Sequence, residues 1–501
     1  ELGTFLSRMD YDMPISNTDL ILKLSYEFGE GDYLEFKAGR ADLDADVSYQ
    51  GLSKSDLDST PYLRYPGTAQ DNMNSDQTRY YLRYNKEFSD TFSMSATAYY
   101  NEFNRNWYKL AGGATEYDDA DGAGTDFAVL RGDFNGTYTV KANDRSYKTK
   151  GLQANFDYEL GIHDLDFGFR VQDDHYIKNP WHQDTYTVVA GTSIGRTTVA
   201  AKDPVDPYKD AKAFEAYIVD NVDLGKLSLS PGIRYSSNEY TYKGTDERTL
   251  DNTLLGLGFG YELTDSSSLF GGVHQGHTFP DAQSAADYNG SSTGKGLDLE
   301  KSLNFELGAR GSVGDVFYEI AYFNTSLEDM LILSSLSGGA AGSANVGEGS
   351  ISGVEIIVAT DIGNDSGLGI PVSVSATFTD TEFESATSPS SGYLEGAVAG
   401  NEFPFIPDFM LNLRAGLEGE KASTYLNYHY QDSVFANGAN TDTIDSYGIL
   451  NWSAFYKLKE GVSMFSKVSN VTDEVYVHSV LPDGYRVGAP RIWSIGMEFD
   501  F

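Results

Sequence analysis

Residues 461–501 read GVSMFSKVSNVTDEVYVHSVLPDGYRVGAPRIWSIGMEFDF. In the last part Trp493, Ile495, Met497, Phe499 and Phe501 alternate with Ser494, Gly496, Glu498 and Asp500. Successive side chains of a strand point to opposite faces, so this is a strand with one greasy and one polar face. In a soluble sandwich the polar face meets water. In a membrane barrel the greasy face meets lipid and the polar face the lumen. One strand is compatible with both. The rest of the chain decides, because the pattern returns roughly 20 times along it.

Working back from the end, Tyr447–Leu458 pairs with Val462–Ser469, Phe409–Leu417 with Ala422–Gln431, and Ser352–Thr360 with Val372–Phe383. Leu303–Gly311 pairs with Val316–Asn324, Leu254–Leu263 with Ser268–His277, and Ala213–Val222 with Lys226–Tyr240. Gly151–Leu160 pairs with Asp164–Asp174, Gln77–Phe88 with Phe92–Trp107, and Leu20–Phe28 with Tyr33–Asp42; Leu2–Met9 reads as one more strand. Tight turns such as Thr264-Asp265-Ser266 join the members of each pair, and long loops join the pairs. The loop from Tyr176 to Asp210 holds Trp181 and three prolines. Alternating segments of about ten residues, with short turns on one side and long loops on the other, are the pattern of an outer-membrane barrel. Lipid offers no hydrogen bonds, so every backbone N–H and C=O must be paired inside the protein, which a closed barrel achieves without a free edge. A β-solenoid would show a short fixed repeat, and there is none. A string of soluble sandwiches would not need loops long at one end only. The fold expected is all-β, a transmembrane antiparallel β-barrel, with residues 1–501 as one outer-membrane barrel domain.

Composition agrees. No window of 501 residues reaches the ~18 consecutive apolar residues of a membrane helix. The 35 Tyr and 28 Phe suit interfacial aromatic girdles. There is no cysteine, hence no disulfide or thiol chemistry. A net charge of -38 argues against a nucleic-acid partner and suits divalent cations bridging to lipopolysaccharide. Glu1 is followed by neither a basic start nor an apolar core, so the sequence reads as a mature or trimmed form.

SKVSNVTDEVYV followed by a loop and GAPRIWSIGMEFDF resembles the closing hairpin of the TonB-dependent outer-membrane receptors. In that family an Asn-Leu-Phe-Asp-like segment precedes a Gly-x-Pro-Arg step and a last strand ending in Phe. Here the first piece is Asn470-Val471-Thr472-Asp473. Leu297–Gly308 is similar to the family's L-x-P-E-x-S-x-N-x-E-L-G segment, with Leu299 in place of Pro, and Gly353-Val354-Glu355 to its G-V-E step. Tyr99–Tyr108 looks like a strand-to-loop segment of the ferric citrate receptor branch. The resemblance implies a barrel of the ~22-strand type with a plug in its lumen. Neither the plug nor the first two strands is visible in this sequence. It also implies Phe501 at the periplasmic end, as the signal read by the barrel assembly machinery, with short turns periplasmic and long loops extracellular. The partners implied are the TonB-ExbB-ExbD energy complex acting through the plug, outer-membrane lipid and lipopolysaccharide, and a ferric siderophore or ferric citrate-like chelate. Cobalamin, haem or a glycan is the runner-up cargo, and a passive porin or structural barrel the alternative class.

Ligand contacts belong on the inner face. On Gln77–Phe88 the residues Tyr80, Leu82 and Tyr84 face lipid, leaving Arg79, Tyr81, Arg83 and Asn85 to the lumen. On the partner strand Phe92, Met94, Ala96, Ala98 and Tyr100 face out, and Ser95, Thr97, Tyr99 and Asn101 face in. Arg79 then sits near Asn101 and Arg83 near Thr97, with Arg105 and Trp107 above them. The same phase puts Arg170, Arg234, Arg310 and Arg414 inside. One reading pairs these arginines with plug carboxylates or with lumen acids such as Glu306, Glu319 and Glu498. The other takes Arg79, Arg83 and Arg105 as contacts for an anionic chelate, with Tyr81, Tyr99 and Trp107 against its apolar parts, because guanidinium matches carboxylate in a planar bidentate fit. His274 and His277 are three apart, which on a strand means opposite faces and disfavours a shared metal. The acidic run Asp118–Asp126 lacks the spacing of a calcium loop and reads as a solvated loop. No HExxH motif is present and no catalytic set stands out, so no enzyme is indicated.

Overall fold

A computed structural model describes residues 3–4, 14–29, 31–110, 125–133, 135–179, 181–189, 192–202, 209–242, 246–286, 296–332, 344–345, 347–363, 367–386, 393–481 and 484–499. Its main feature is one antiparallel sheet of 22 strands. In chain order these are β1 (Gly3–Thr4), β2 (Ile15–Glu27), β3 (Tyr33–Ala45), β4 (Asn72–Ser89), β5 (Phe92–Leu110), β6 (Gly136–Leu160) and β7 (His163–Lys178). Next come β8 (Trp181–Val189), β9 (Thr192–Lys202), β10 (Lys209–Asp223), β11 (Leu227–Tyr242), β12 (Asp246–Thr264), β13 (Ser267–Thr278), β14 (Glu300–Val313) and β15 (Val316–Glu328). The last are β16 (Gly347–Asp361), β17 (Pro371–Ala386), β18 (Phe409–Glu418), β19 (Ala422–Gln431), β20 (Tyr447–Lys459), β21 (Val462–Ser469) and β22 (Ile492–Phe499). Each strand pairs with the next, except that β7 pairs directly with β10 while β8 and β9 branch from the top of β6, so 20 strands form the wall.

The alternation that predicts the strands also orients them. Leu20, Leu22 and Leu24 of β2, Tyr80 and Leu82 of β4, and Trp493, Ile495, Met497 and Phe499 of β22 are all exposed, on the face expected to meet lipid. Aromatic rings collect at both rims of that face. Near the short turns Phe88 stacks on Phe92 at 5.0 Å and Phe156 on Phe167 at 5.1 Å. Near the long loops Phe378 meets Phe409 at 4.8 Å, and Phe409 meets Tyr430 at 6.0 Å. The short turns need left-handed backbone, supplied by glycine at Gly161 (φ 66) and Gly225 (φ 83).

Two expectations need correction. The strand begun at Gly151 starts at Gly136, and the one ended at Asp174 runs to Lys178. The segment expected to be a plain loop contains the β8–β9 hairpin, which pairs with the upper part of β6 from Gly136 to Lys141. At 25 residues β6 is about 80 Å long at 3.3 Å per residue, so much of it stands clear of a bilayer core of about 30 Å. Of Leu2–Met9 only Gly3 and Thr4 lie within the described residues; Phe501 and Asp118–Asp121 lie outside them.

Among the described residues the four clusters of buried apolar side chains all lie at the long-loop end. The largest joins Leu52 and Leu57 of the first long loop and its helix α1 (Lys54–Ser59) to Leu110, Val140 and Tyr186. The others gather around Tyr242 and Leu299, around Phe383 and Phe403, and around Val434 and Val480. The first and last long loops meet: Leu52 and Tyr485 form an antiparallel bridge, and Arg486 donates to the carbonyls of Ser48 (3.5 Å) and Tyr49.

The Asn470–Asp473 segment is a loop clamp. Asn470 is buried with φ 51. Its side chain donates to the carbonyls of Glu474 (2.8 Å) and Ala489 (3.1 Å) and accepts from the Glu474 N–H (2.8 Å). Asp473 accepts from the Arg491 backbone at 3.0 Å and from its guanidinium at 3.1 Å. Asn470→Ala removes three buried hydrogen bonds and leaves a β-carbon residue without local support in a left-handed position. We expect a loss of about 2–4 kcal/mol, read as a lower denaturant midpoint for the purified barrel. An unchanged midpoint would mean that the loop is held elsewhere.

Candidate functional site

The β4–β5 register is the one expected from phase: Arg79 is opposite Asn101, Arg83 opposite Thr97, and Tyr81 opposite Tyr99. The side chains divide into two tiers. In the lower tier Arg79 pairs with Asp19 of β2 through one nitrogen, its Nη2 lying 2.5 and 2.6 Å from the two carboxylate oxygens. The Tyr81 hydroxyl donates to Glu35 at 2.7 Å, and Lys23 holds the same carboxylate at 2.8 Å. Tyr99 donates to Gln172 at 2.7 Å. The Arg83 Nε lies 3.4 Å from the Thr97 hydroxyl, and the guanidinium rests 5.5 Å from the centre of the Tyr81 ring. Among the described residues neither Arg83 nor Lys37, whose ammonium lies 5.4 Å from the Tyr81 ring centre, makes an ion pair, so positive charge is left uncompensated in this tier.

Arg105 and Trp107 lie four and six residues further along β5 than Asn101, on the order of 13–20 Å up the wall. Arg105 donates to the Tyr147 hydroxyl at 3.4 Å. Trp107 packs edge-on against Tyr49 of the first long loop at 5.2 Å, with the Lys109 ammonium 3.1 Å from the Tyr49 ring centre. The six predicted residues therefore share one hairpin but not one contact cluster. Sequence reasoning missed Asp19, Tyr49 and Tyr147. Asp19 had the right phase but no visible partner, Tyr49 lies in a loop, and Tyr147 falls in the part of β6 read as loop.

Elsewhere on the inner face Arg170 pairs with Glu215 at 3.1 Å, while Arg234, Arg310 and Arg414 lie over Tyr217, Phe270 and Tyr425. The carboxylates that pair with Arg79 and Arg170 are thus Asp19 and Glu215, not Glu306, Glu319 or Glu498. His274 is opposite Asn304 and His277 opposite Lys301; among the described residues no group of three or more His, Asp or Glu is placed to hold a metal ion.

The Tyr49–Trp107 contact is fastened by Asp71, a fully buried carboxylate between loop and wall. It accepts from the backbone N–H of Tyr49 at 2.9 Å and of Leu110 at 3.1 Å. Burial pushes its pKa up to about 6, against the opposing pull of those two donors and of Arg64 and Lys109.

The sequence matches the family described as TonB dependent receptor-like, beta-barrel over residues 17–471. The chain therefore belongs to the TonB-dependent receptor β-barrels, a family of outer-membrane proteins. It is 26% identical over 321 residues to the pesticin receptor of Yersinia enterocolitica, a match covering 58% of this chain and 43% of that receptor. The chain thus spans less than half the length of this curated relative. Among solved structures it superposes on the ferric citrate transporter FecA in the unliganded form with a TM-score of 0.73 at 18% identity, over 97% of this chain and 70% of that one. On the ferric yersiniabactin uptake receptor FyuA from Yersinia pestis the TM-score is 0.67 at 17% identity, over 98% and 71%. At such identities these likenesses speak to the fold alone.

The raised pKa of Asp71 carries a sign. The carboxylate costs stability when ionised in the fold, so the penalty is present above pH 6 and is relieved as pH falls from about 6 towards 4. The first long loop should therefore be better protected from amide exchange at pH 5 than at pH 7, by about 1 kcal/mol. Asp71→Asn should flatten that dependence. Protection that falls with pH in the wild type would contradict this assignment.

Proposed function

We propose that this chain is the barrel of an active outer-membrane receptor that takes up a large, scarce nutrient, a ferric siderophore or ferric citrate-like chelate. Its energy comes from the inner-membrane TonB complex pulling on a plug held in the lumen. Family membership supports the receptor class. The ferric cargoes named for the two structural neighbours support the substrate class. The observation that carries the ligand reading is the inner face of β4 and β5. There Arg83, beside Tyr81, and Arg105, higher up beside Tyr147, present guanidinium groups without ion pairs among the described residues, inside a chain of net charge -38. An anionic chelate approaching so acidic a protein needs a local positive patch. Guanidinium supplies one that also fits carboxylate or catecholate oxygens in the plane. Arg79 contributes less charge, because Asp19 already neutralises it. Trp107 contributes an apolar wall, with Tyr49 behind it.

Binding of ferric citrate and of ferric siderophores to the purified receptor tests this reading. Replacing Arg83 and Arg105 together by Ala should weaken binding by about 1.5–3 kcal/mol for each charged hydrogen bond lost, with the barrel intact. Arg79→Ala should cost less. In cells, accumulation of the iron chelate should stop when TonB is deleted, whereas a passive pore would keep conducting. Unchanged affinity in the Arg83/Arg105 variant for every anionic iron chelate that binds would assign these arginines a structural role.

A further inference from the structure

Above the membrane, the register of β5, β6 and β7 sets three cations on one rung. Arg105 is directly opposite Arg145, and Arg145 is directly opposite Lys178. Their phase is opposite to that of the lipid-facing Tyr100, Leu152 and Val171, so all three face inward. Like charges directly opposite one another weaken a sheet, so this rung works against the fold unless something neutralises it. Nearby ion pairs use other cations: Lys148 with Glu102, Lys150 with Asp173, Arg170 with Glu215 and Lys209 with Asp281. Among the described residues no carboxylate pairs with Arg105, Arg145 or Lys178. Asp174, two rungs nearer the membrane, is held by Thr149 at 2.6 Å and Gln172 at 2.7 Å.

The surroundings register the excess charge. Burial, together with the positive charges of Lys178 and Arg145, holds the neighbouring Lys141 below the usual lysine range. Burial pushes Tyr147 up, yet the guanidinium groups of Arg145 and Arg105 outweigh it and keep the phenol below its ordinary value. Immediately below the rung lies an aromatic floor: Tyr147 is 5.9 Å from Phe103 and 5.0 Å from Tyr176, and the Arg145 guanidinium sits 5.8 Å from the Tyr176 ring centre. Three adjacent strands span only about 10 Å, the scale of one small multidentate anion.

We propose that Arg105, Arg145 and Lys178 form an anion anchor at the outer mouth of the barrel, and that the cargo is a polyanion carrying several carboxylate- or catecholate-type oxygens. This rests on the reading of the lumen as the ligand path and narrows it, since an uncharged solute would leave the rung unneutralised. Adjacent guanidinium groups take oxygens in bidentate fashion, the ammonium of Lys178 acts as a point charge at one end, and planar parts of the ligand lie on Tyr147 and Tyr176.

The test uses the full receptor in detergent at low, fixed ionic strength, with the triple variant Arg105→Gln/Arg145→Gln/Lys178→Gln. Probes are sodium citrate alone, ferric citrate, a ferric tris-catecholate and an uncharged ferric trihydroxamate. Without anion the triple variant should unfold at a higher temperature than the wild type, because the repulsion is gone. Citrate should raise the unfolding temperature of the wild type, and binding of citrate and of the charged ferric chelates should be roughly tenfold or more weaker in the variant. The trihydroxamate should not separate the two proteins. A variant less stable than the wild type, equal citrate binding by both, or no citrate effect on the wild type would overturn the anchor. Lys178→Gln alone, at the end of its strand, keeps the comparison available should the triple variant fail to fold. Citrate bound at the rung with no ferric chelate bound anywhere leaves the anchor standing and removes the iron reading. Ferric chelates bound equally by both proteins do the reverse.

Discussion

Hydrocarbon accepts no hydrogen bonds, and everything in this wall follows from that. Each backbone N–H and C=O at bilayer depth must find its partner on the next strand, so the sheet is built as an unbroken series of neighbour pairings. With lipid covering the outer face, apolar side chains there need no protein core. At bilayer level Leu20, Leu82 and Ile495 are exposed, and no buried apolar cluster is found there among the described residues. The situation reverses above the membrane. There the strands and loops stand in water and must bury their own apolar surface, and that is where Leu52, Val140, Phe383 and Val434 are packed away.

The same change of solvent sets what was legible in the sequence. Where one face meets lipid and the other the lumen, the two-residue period is clean. The strand Val462–Ser469 is found at the bounds expected of it, and the Arg79–Asn101 and Arg83–Thr97 neighbours follow from phase and turn position alone. Above the lipid both faces of a strand are wet. The run from Gly136 to Thr149 then carries Asp, Lys, Arg and Tyr without alternation, and half of β6 reads as loop. Arg145 and Tyr147 were lost with it. Phase also cannot tell how far one strand slides past the next but one, so the Asp19–Arg79 pair, which bridges β2 and β4, needed the three-dimensional register.

Charge is distributed with similar economy. Acidic residues dominate the chain, yet the inner face of β4 to β7 concentrates guanidinium and ammonium groups. Low in the wall Asp19 matches Arg79 and Glu215 matches Arg170, while Arg83 has only the Thr97 hydroxyl. Higher up Lys209 is matched by Asp281, while Arg105, Arg145 and Lys178 have no carboxylate partner among the described residues.

The junction of the first and last long loops bears on how such a wall is made. The bond from Arg486 to the carbonyl of Ser48 joins residues 438 positions apart. The wall's strand pairings form between strands that follow one another, β7 and β10 meeting across the β8–β9 hairpin, but this junction can form only when the two ends of the ribbon are brought together. Closing a loop of that length carries an entropic cost of roughly 5 kcal/mol beyond the constant for any loop, so contacts of this kind are the slowest to form. The Leu52–Tyr485 bridge and its arginine are therefore the last fastening of the ribbon and the first to be lost if it reopens. The time that the ribbon spends with unsealed edges is governed by a handful of residues in its outermost loops.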